Sequence, residues 1–298
     1  MLKGVACSLS ASMLFGYIYY FSTMLVPLTG EDIFAFRIIF TLPFIWAAVF
    51  LFRQRFFLKR HFRRIKKHPW LMLVFLTTAS ITGFEMWLFL WAPNNNEALN
   101  VSVGYLILPL MLVLMGRIFF KEKITRLKLV AILLAALGVA TDIFAKGGGS
   151  WTSAAVCGYA VYFLLRKRFN IMDLASLAIE FTLLLPVCIY FGWHTDIAAA
   201  QQVNPHIMWR LVLLGLLSGT AFIFYILASN LLPMNMLGLL SYMEPTLLLI
   251  SSIFIGEKIS SDSYPLFAGL LASIFFVILD GVWEHWYRAK QQANLPLK

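Results

Sequence analysis

Cysteine is nearly missing from this chain. The three that occur, Cys7, Cys157 and Cys188, are an odd number, lie in apolar runs and form no CxxC pair. Neither a disulfide framework nor a metal site is expected, and small core residues are the natural role for all three. Charge is scarce too: 13% of residues are charged, about half the share of a soluble domain. Catalytic signatures are absent, with no HExxH, GxSxG, P-loop or GxGxxG. The five histidines (His61, His68, His194, His206, His285) fall in loops or at the ends of apolar runs. No enzyme and no cofactor is therefore expected. Nor is there a filter-like segment of the kind a channel needs.

What fills the chain instead is apolar. Hydrophobic residues make up 61% of it, and the mean hydropathy is +0.81. A helix needs roughly 20 mainly apolar residues to cross about 30 Å of hydrocarbon. Ten such runs can be read, at about 4–26, 33–52, 70–92, 98–119, 127–145, 151–165, 172–193, 208–229, 234–255 and 264–284, which leaves no room for a soluble domain. The first run exceeds an ordinary signal-peptide core and is expected to stay uncleaved.

The runs come in two sets. Ile118-Phe119-Phe120-Lys121-Glu122-Lys123-Ile124 returns as Ile253-Phe254-Ile255-Gly256-Glu257-Lys258-Ile259. Before these copies, Tyr105 stands four residues ahead of Pro109 and Tyr242 three ahead of Pro245. Gly16-Tyr17-x-x-Tyr20-Phe21 matches Gly158-Tyr159-x-x-Tyr162-Phe163, and Arg37 precedes Pro43 as Glu180 precedes Pro186, by six residues each. Three matches in one order, with five spans per set, predict two inverted repeats, 1–146 and 147–298. Lys146-Gly147-Gly148-Gly149-Ser150 suits a flexible external linker between them, though a tight turn would use the same glycines.

Charge sets the orientation. If Lys3 is cytoplasmic and the spans alternate, every lysine and arginine falls on the inner side except Lys146, Arg210, Lys258 and the intramembrane Arg37, so both termini are expected in the cytoplasm. The net charge of +10 thus reflects topology and not nucleic-acid binding. Residues 53–67 interleave Phe56, Phe57, Leu58, Phe62 and Ile65 with eight basic residues, the pattern of an interfacial helix drawn to anionic lipid headgroups.

At Trp91-Ala92-Pro93-Asn94-Asn95, Ser102-Val103-Gly104-Tyr105 and Pro109-Leu110, the chain resembles the RarD group of EamA-type permeases in the drug/metabolite transporter (DMT) superfamily. Glu122, Glu257, Gly158, Arg166-Lys167, Ile179-Glu180, Leu185-Pro186, Tyr242 and Pro245-Thr246 extend the likeness over nearly the whole chain. The resemblance implies an all-α integral membrane protein of ten helices in two inverted five-helix repeats, located in the inner membrane. It also implies alternating access and efflux of small organic molecules: amphiphilic drugs such as chloramphenicol, or amino acids and other metabolites. The chain departs from the group at Glu85, where an Asn is usual, and at Glu244, where a Gly precedes the proline.

At about 1.5 Å per helical residue, Tyr105, Glu180, Tyr242 and Glu244 are expected near the midplane, and Arg37 and Glu85 nearer the outside. A charge at such depth costs at least about 2.5 to 3.5 kcal/mol, so each should face a cavity or a partner. Arg37 with Glu180 or Glu85 is within the chemistry of a structural ion pair that holds helices together. Substrate contacts are expected from these six together with Trp87, Tyr17 and Tyr159, an aromatic wall with few polar groups. Pro109 and Pro245 are expected to interrupt their helices, and Glu244, with Glu180 second, is the candidate for proton coupling. Zwitterionic or cationic amphiphiles fit this set better than anions. A monomer or weak dimer is expected, and the alternative to transport is a structural or sensory membrane subunit.

Overall fold

In the computed structural model, residues 2–121, 124–232 and 240–293 are described, the side chains of Lys146, Asn230 and 284–293 excepted. The helices are α1 Leu2–Phe21, α2 Gly30–Leu51, α3 Arg55–Lys67, α4 Leu71–Trp91, α5 Ala98–Phe120, α6 Arg126–Lys146 and α7 Trp151–Gly158, then α8 Ala160–Phe169, α9 Leu174–His194, α10 Ile197–Val203, α11 Ile207–Leu231, α12 Met243–Ile255 and α13 Tyr264–Ala293. No strand occurs among the described residues. Eight helices are long and apolar enough to cross a bilayer. Two expected spans take another form. The sixth is divided into α7 and α8 at Gly158–Tyr159, and the described part of the ninth is the shorter α12. Residues 233–239, Glu122 and Lys123 lie outside the described residues.

Prolines behave differently by position. Pro109 lies inside α5, which continues to Phe120, so the expected break is absent. Losing one N–H orphans only the Tyr105 carbonyl, which neighbouring groups in a bundle can satisfy. Pro245 instead stands in the first turn of α12, after a turn at 241–242. There its missing N–H has no intrahelical acceptor to lose. The Gly147–Ser150 segment is a tight turn and not a loose linker: Gly147 closes α6 at φ 70°, and the Ser150 hydroxyl caps α7 by accepting from Ser153 N–H.

The core is built from α1, α2, α4, α5, α9, α11 and α12. α1 packs on α11 and α12, α2 on α9 and α11, α4 on α9, and α5 on α7, α8 and α12. α6 and α13 pair with each other and share an apolar cluster with Leu106 and Leu110 of α5. Gly138 and Gly269 let their backbones meet, a Cβ at Gly269 lying 2.8 Å from the Leu134 carbonyl oxygen, and Lys128 pairs with the buried Asp280 at 3.3 Å.

α3 is amphipathic, with Leu58 and Ile65 packed against Phe75, Ile171 and Ile179. Its buried His61 donates from Nε2 to Asp173 over 2.7 Å, and Asp173 also caps α9 through Ser176 N–H at 2.9 Å. Burial works to raise the Asp173 carboxyl, but His61 and the Ser176 amide outweigh it and hold the group below its ordinary value. A carboxyl held down when folded stabilises above its unfolded pKa, about 3.9, and loses that contribution as pH falls through the folded value. Asp173→Ala is expected to cost about 1–3 kcal/mol at pH 7. Thermal melts in detergent check this, and the gap from the parent protein should narrow as the pH drops below about 4.

Candidate functional site

Five of the expected site residues come together in the interior: Arg37, Glu85, Tyr105, Tyr159 and Glu244. Arg37 on α2 is 2% exposed. Its Nε donates to Ser218 Oγ of α11 at 2.9 Å, and its guanidinium lies 5.3 Å from the Phe89 ring centroid. It interacts electrostatically with Tyr105, Glu244 and Tyr159. The expected pairing of Arg37 with Glu180 or Glu85 is thus replaced by a neutral hydroxyl, because this face of α2 packs on α11.

Glu85 on α4 is 3% exposed. Its carboxylate interacts electrostatically with the Tyr105 hydroxyl, while Oε1 has no hydrogen-bond partner among the described residues. It lines a cavity of about 330 Å³ with Ser80, Phe84, Gly158 and Tyr159, in the seam where α4 faces the break between α7 and α8. Tyr159 is oriented by a hydroxyl contact of 3.2 Å to Thr82 and by stacking on Tyr162 at 4.8 Å. Gly158 carries no side chain to fill the mouth, and a Cβ added there would meet nothing within 4 Å.

Glu244 is half-buried in the first turn of α12, where the positive end of the helix dipole favours a carboxylate. It interacts electrostatically with Arg37, Tyr105 and Tyr225. The chemistry available is that of the Glu244 carboxylate within electrostatic reach of the Arg37 guanidinium and of the Tyr105 and Tyr225 hydroxyls. Such a carboxylate can be neutralised by the arginine, a proton or a ligand cation.

Other expected residues fall elsewhere. Glu180 is fully buried, with its Oε2 accepting from Tyr162 at 3.0 Å and lying 3.6 Å from Arg166. Arg166 also donates to the Tyr162 hydroxyl, the Ile171 and Asp173 carbonyls and Ser176, so Glu180 belongs to a network joining α8 to α9. Tyr17 is 46% exposed beside Phe21. Tyr242 is buried in the apolar cluster around Leu106 and Phe267, its hydroxyl unpartnered among the described residues. Trp87 stacks between Phe84 and Trp91. Asn94 and Asn95 donate to the Leu90 and Trp91 carbonyls, a turn at the helix end.

Several contributors were not foreseen. Ser218 and Tyr225 lie seven residues apart on one face of α11, and the Gly215-x-x-x-Gly219 spacing around Ser218 marked that face as a close helix contact. Glu257, noted only as a repeated motif residue, accepts from the Ala98 and Leu99 amides at 2.8 and 2.7 Å and so caps α5. Its counterpart Glu122 is outside the described residues.

Comparison with known proteins accords with this architecture. The model of the EamA-like transporter family matches residues 2–141. An uncharacterised transporter of Pasteurella multocida is 54% identical, over 95% of this chain and 97% of its own length. The chloramphenicol-sensitive protein RarD of Pseudomonas aeruginosa is 33% identical, over 98% of this chain and 97% of its own. One solved crystal structure shares the fold with a TM-score of 0.57 at 16% identity, covering 93% of this chain and 96% of that one.

Proposed function

Because this chain belongs to the RarD group of the EamA-like transporter family, we propose that this multi-pass inner-membrane transporter exports small amphiphilic molecules by proton-coupled alternating access. The observation that carries the mechanism is an asymmetry between matched segments. Gly16 is pressed against α12, a Cβ there lying 2.9 Å from Leu247, whereas a Cβ at Gly158 meets nothing within 4 Å. α1 is continuous while α7–α8 is broken at the matching place. Two halves of similar sequence in opposite local states, one sealed and one fissured, are what a carrier halted in one orientation displays.

The packing supports two inverted units, 1–146 and 147–298. Exchanging α1 with α7–α8, α2 with α9, α4 with α11, α5 with α12 and α6 with α13 carries α1–α12 contacts onto α7–α5, and α2–α11 onto α9–α4. The α2–α9, α5–α12 and α6–α13 pairs map onto themselves. Counting α7–α8 as one span and α12 as part of another gives ten, with both termini in the cytoplasm by the distribution of basic residues. The Pseudomonas relative's name refers to chloramphenicol. Here the Glu85 carboxylate, which has no ion pair among the described residues, and the neighbouring Phe84 and Tyr159 rings favour amphiphiles that carry an amine, amino acids included.

Alternation is tested with single cysteines at Tyr105→Cys and Glu85→Cys in a background lacking Cys7, Cys157 and Cys188. Each should react with impermeant thiol reagents from both sides of the membrane, and substrate should shift the balance between them. Labelling from one side only, under every condition, counts against the mechanism. Substrate class is tested by thermal shift across a panel: a ligand at a hundred times its Kd stabilises by about 2.7 kcal/mol. Amines or zwitterions are expected to raise Tm; shifts by organic anions alone overturn that assignment.

A further inference from the structure

We propose a second binding site, for the phosphate headgroup of an anionic phospholipid, in the basic pocket where the end of α3 and the start of α4 meet the end of α8. The pocket encloses about 570 Å³, and its walls include Arg63, Lys67, His68, Arg168 and Trp70. None of the side chains lining it is a carboxylate. Arg64 is spent on structure, donating to the Phe169 carbonyl at 2.9 Å and thereby fixing α3 against the α8–α9 turn. Asp173, five residues after Arg168 in sequence, is engaged by His61 at 2.7 Å. Arg63, Lys67 and Arg168 are left around one hollow with no ion pair among the described residues. Three like charges held together without a counter-charge repel one another, and a multi-oxygen anion relieves that repulsion while accepting several charge-assisted hydrogen bonds.

A lipid, and not free phosphate, is indicated by what adjoins the pocket. Trp70, 52% exposed and edge-on to Phe169 at 5.5 Å, stands one residue before α4 begins, the position of an aromatic anchor at the headgroup layer. From there α4 exposes Met72, Leu73 and Leu76 along one stripe, at 39%, 67% and 43%. An acyl chain descending from a phosphate in the pocket has an apolar track to lie on. The placement in the cytoplasmic leaflet rests on the topology proposed above; binding itself does not.

The purified full chain is titrated in a neutral detergent with phosphatidylglycerol, cardiolipin, phosphatidylcholine and inorganic phosphate, followed by melting temperature and native mass spectrometry. The anionic lipids should raise Tm and remain bound; phosphatidylcholine and inorganic phosphate at millimolar concentration should not. Arg63→Gln/Lys67→Gln/Arg168→Gln should weaken apparent lipid affinity at least about tenfold at unchanged basal Tm. Arg55→Gln/Lys59→Gln/Lys66→Gln removes the same charge from α3 outside the pocket and should bind as the parent does. If the pocket triple variant does not fold, Arg168→Gln alone should weaken binding measurably. The site is refuted if the pocket variants bind lipid like the parent, if both triple variants lose it equally, or if inorganic phosphate alone reproduces the full shift.

Discussion

Glu244→Gln is expected to abolish substrate accumulation driven by a pH gradient while leaving counterflow intact. With one proton moved per substrate, a gradient of one pH unit supplies about 1.4 kcal/mol and supports roughly tenfold accumulation. The Gln variant should equilibrate substrate to roughly onefold, because an amide keeps the size and hydrogen bonding of the carboxyl but cannot change charge. The geometry selects this residue. Glu244 is half-buried in the first turn of α12 and interacts electrostatically with the buried Arg37 and with Tyr105 and Tyr225. On the proposed mechanism the ionised carboxylate is balanced by Arg37 and the protonated one releases it, so that proton and ligand compete for the same charge. Proteoliposomes with an imposed pH gradient measure accumulation, and equal internal and external pH with trapped unlabelled substrate measures counterflow. Retention of full gradient-driven accumulation by the Gln variant removes Glu244 from the coupling role. Glu85 would then be the better candidate than Glu180, whose carboxylate is held by Arg166 and Tyr162.

Gly215→Val should disrupt the fold itself. A Cβ at Gly215 would lie 2.2 Å from the Phe40 Cβ and 2.9 Å from its backbone carbonyl carbon, and backbone on a packed helix cannot step aside as a side-chain tip does. One turn on, a Cβ at Gly219 would meet Phe44 at 2.6 Å. The two glycines let α11 approach α2 closely enough for Ser218, between them in sequence, to reach Arg37 at 2.9 Å, so one substitution strikes packing and site together. Overpacking of this kind costs about 3 kcal/mol or more and should lower Tm by roughly 6–12 °C, with loss of monodisperse protein in detergent. Gly148→Ala serves as the control, since a Cβ there meets nothing within 4 Å, and it should stay within about 0.5 kcal/mol of the parent. Equal melting of the Gly215→Val and Gly148→Ala proteins would show that α2 and α11 can separate without cost.

How much of this was legible beforehand differs by kind of feature. Long apolar runs announce spanning helices because lipid leaves the backbone no partner but itself, and the eight long spans fall where hydropathy puts them. The helix at 55–67 was visible in its alternation of aromatic and basic residues. Arg37, Glu85 and Glu244 stood out because a charge inside an apolar run demands a reason. The breaks were less legible. Pro109 and Pro245 look alike in sequence, yet one is absorbed within α5 and the other sits in the first turn of α12. The interruption at Gly158–Tyr159 carried no proline at all.

The sequence by itself determined that this protein lives in a bilayer, which family it belongs to and which charged side chains need a cavity or a partner at their depth. Those follow from composition and local pattern, where each residue's solvation cost is its own. Only the tertiary structure decided who meets whom. Glu180 and Arg37 occupy matched positions, but Glu180 turns to Arg166 and Arg37 to Ser218, because partner choice depends on which helix faces lie opposite after packing. Likewise Gly16-Tyr17 and Gly158-Tyr159 share a motif, while the first glycine is sealed against Leu247 and the second opens onto a cavity. A motif specifies what a segment can do; its environment, fixed by the rest of the bundle, selects which of those states it occupies.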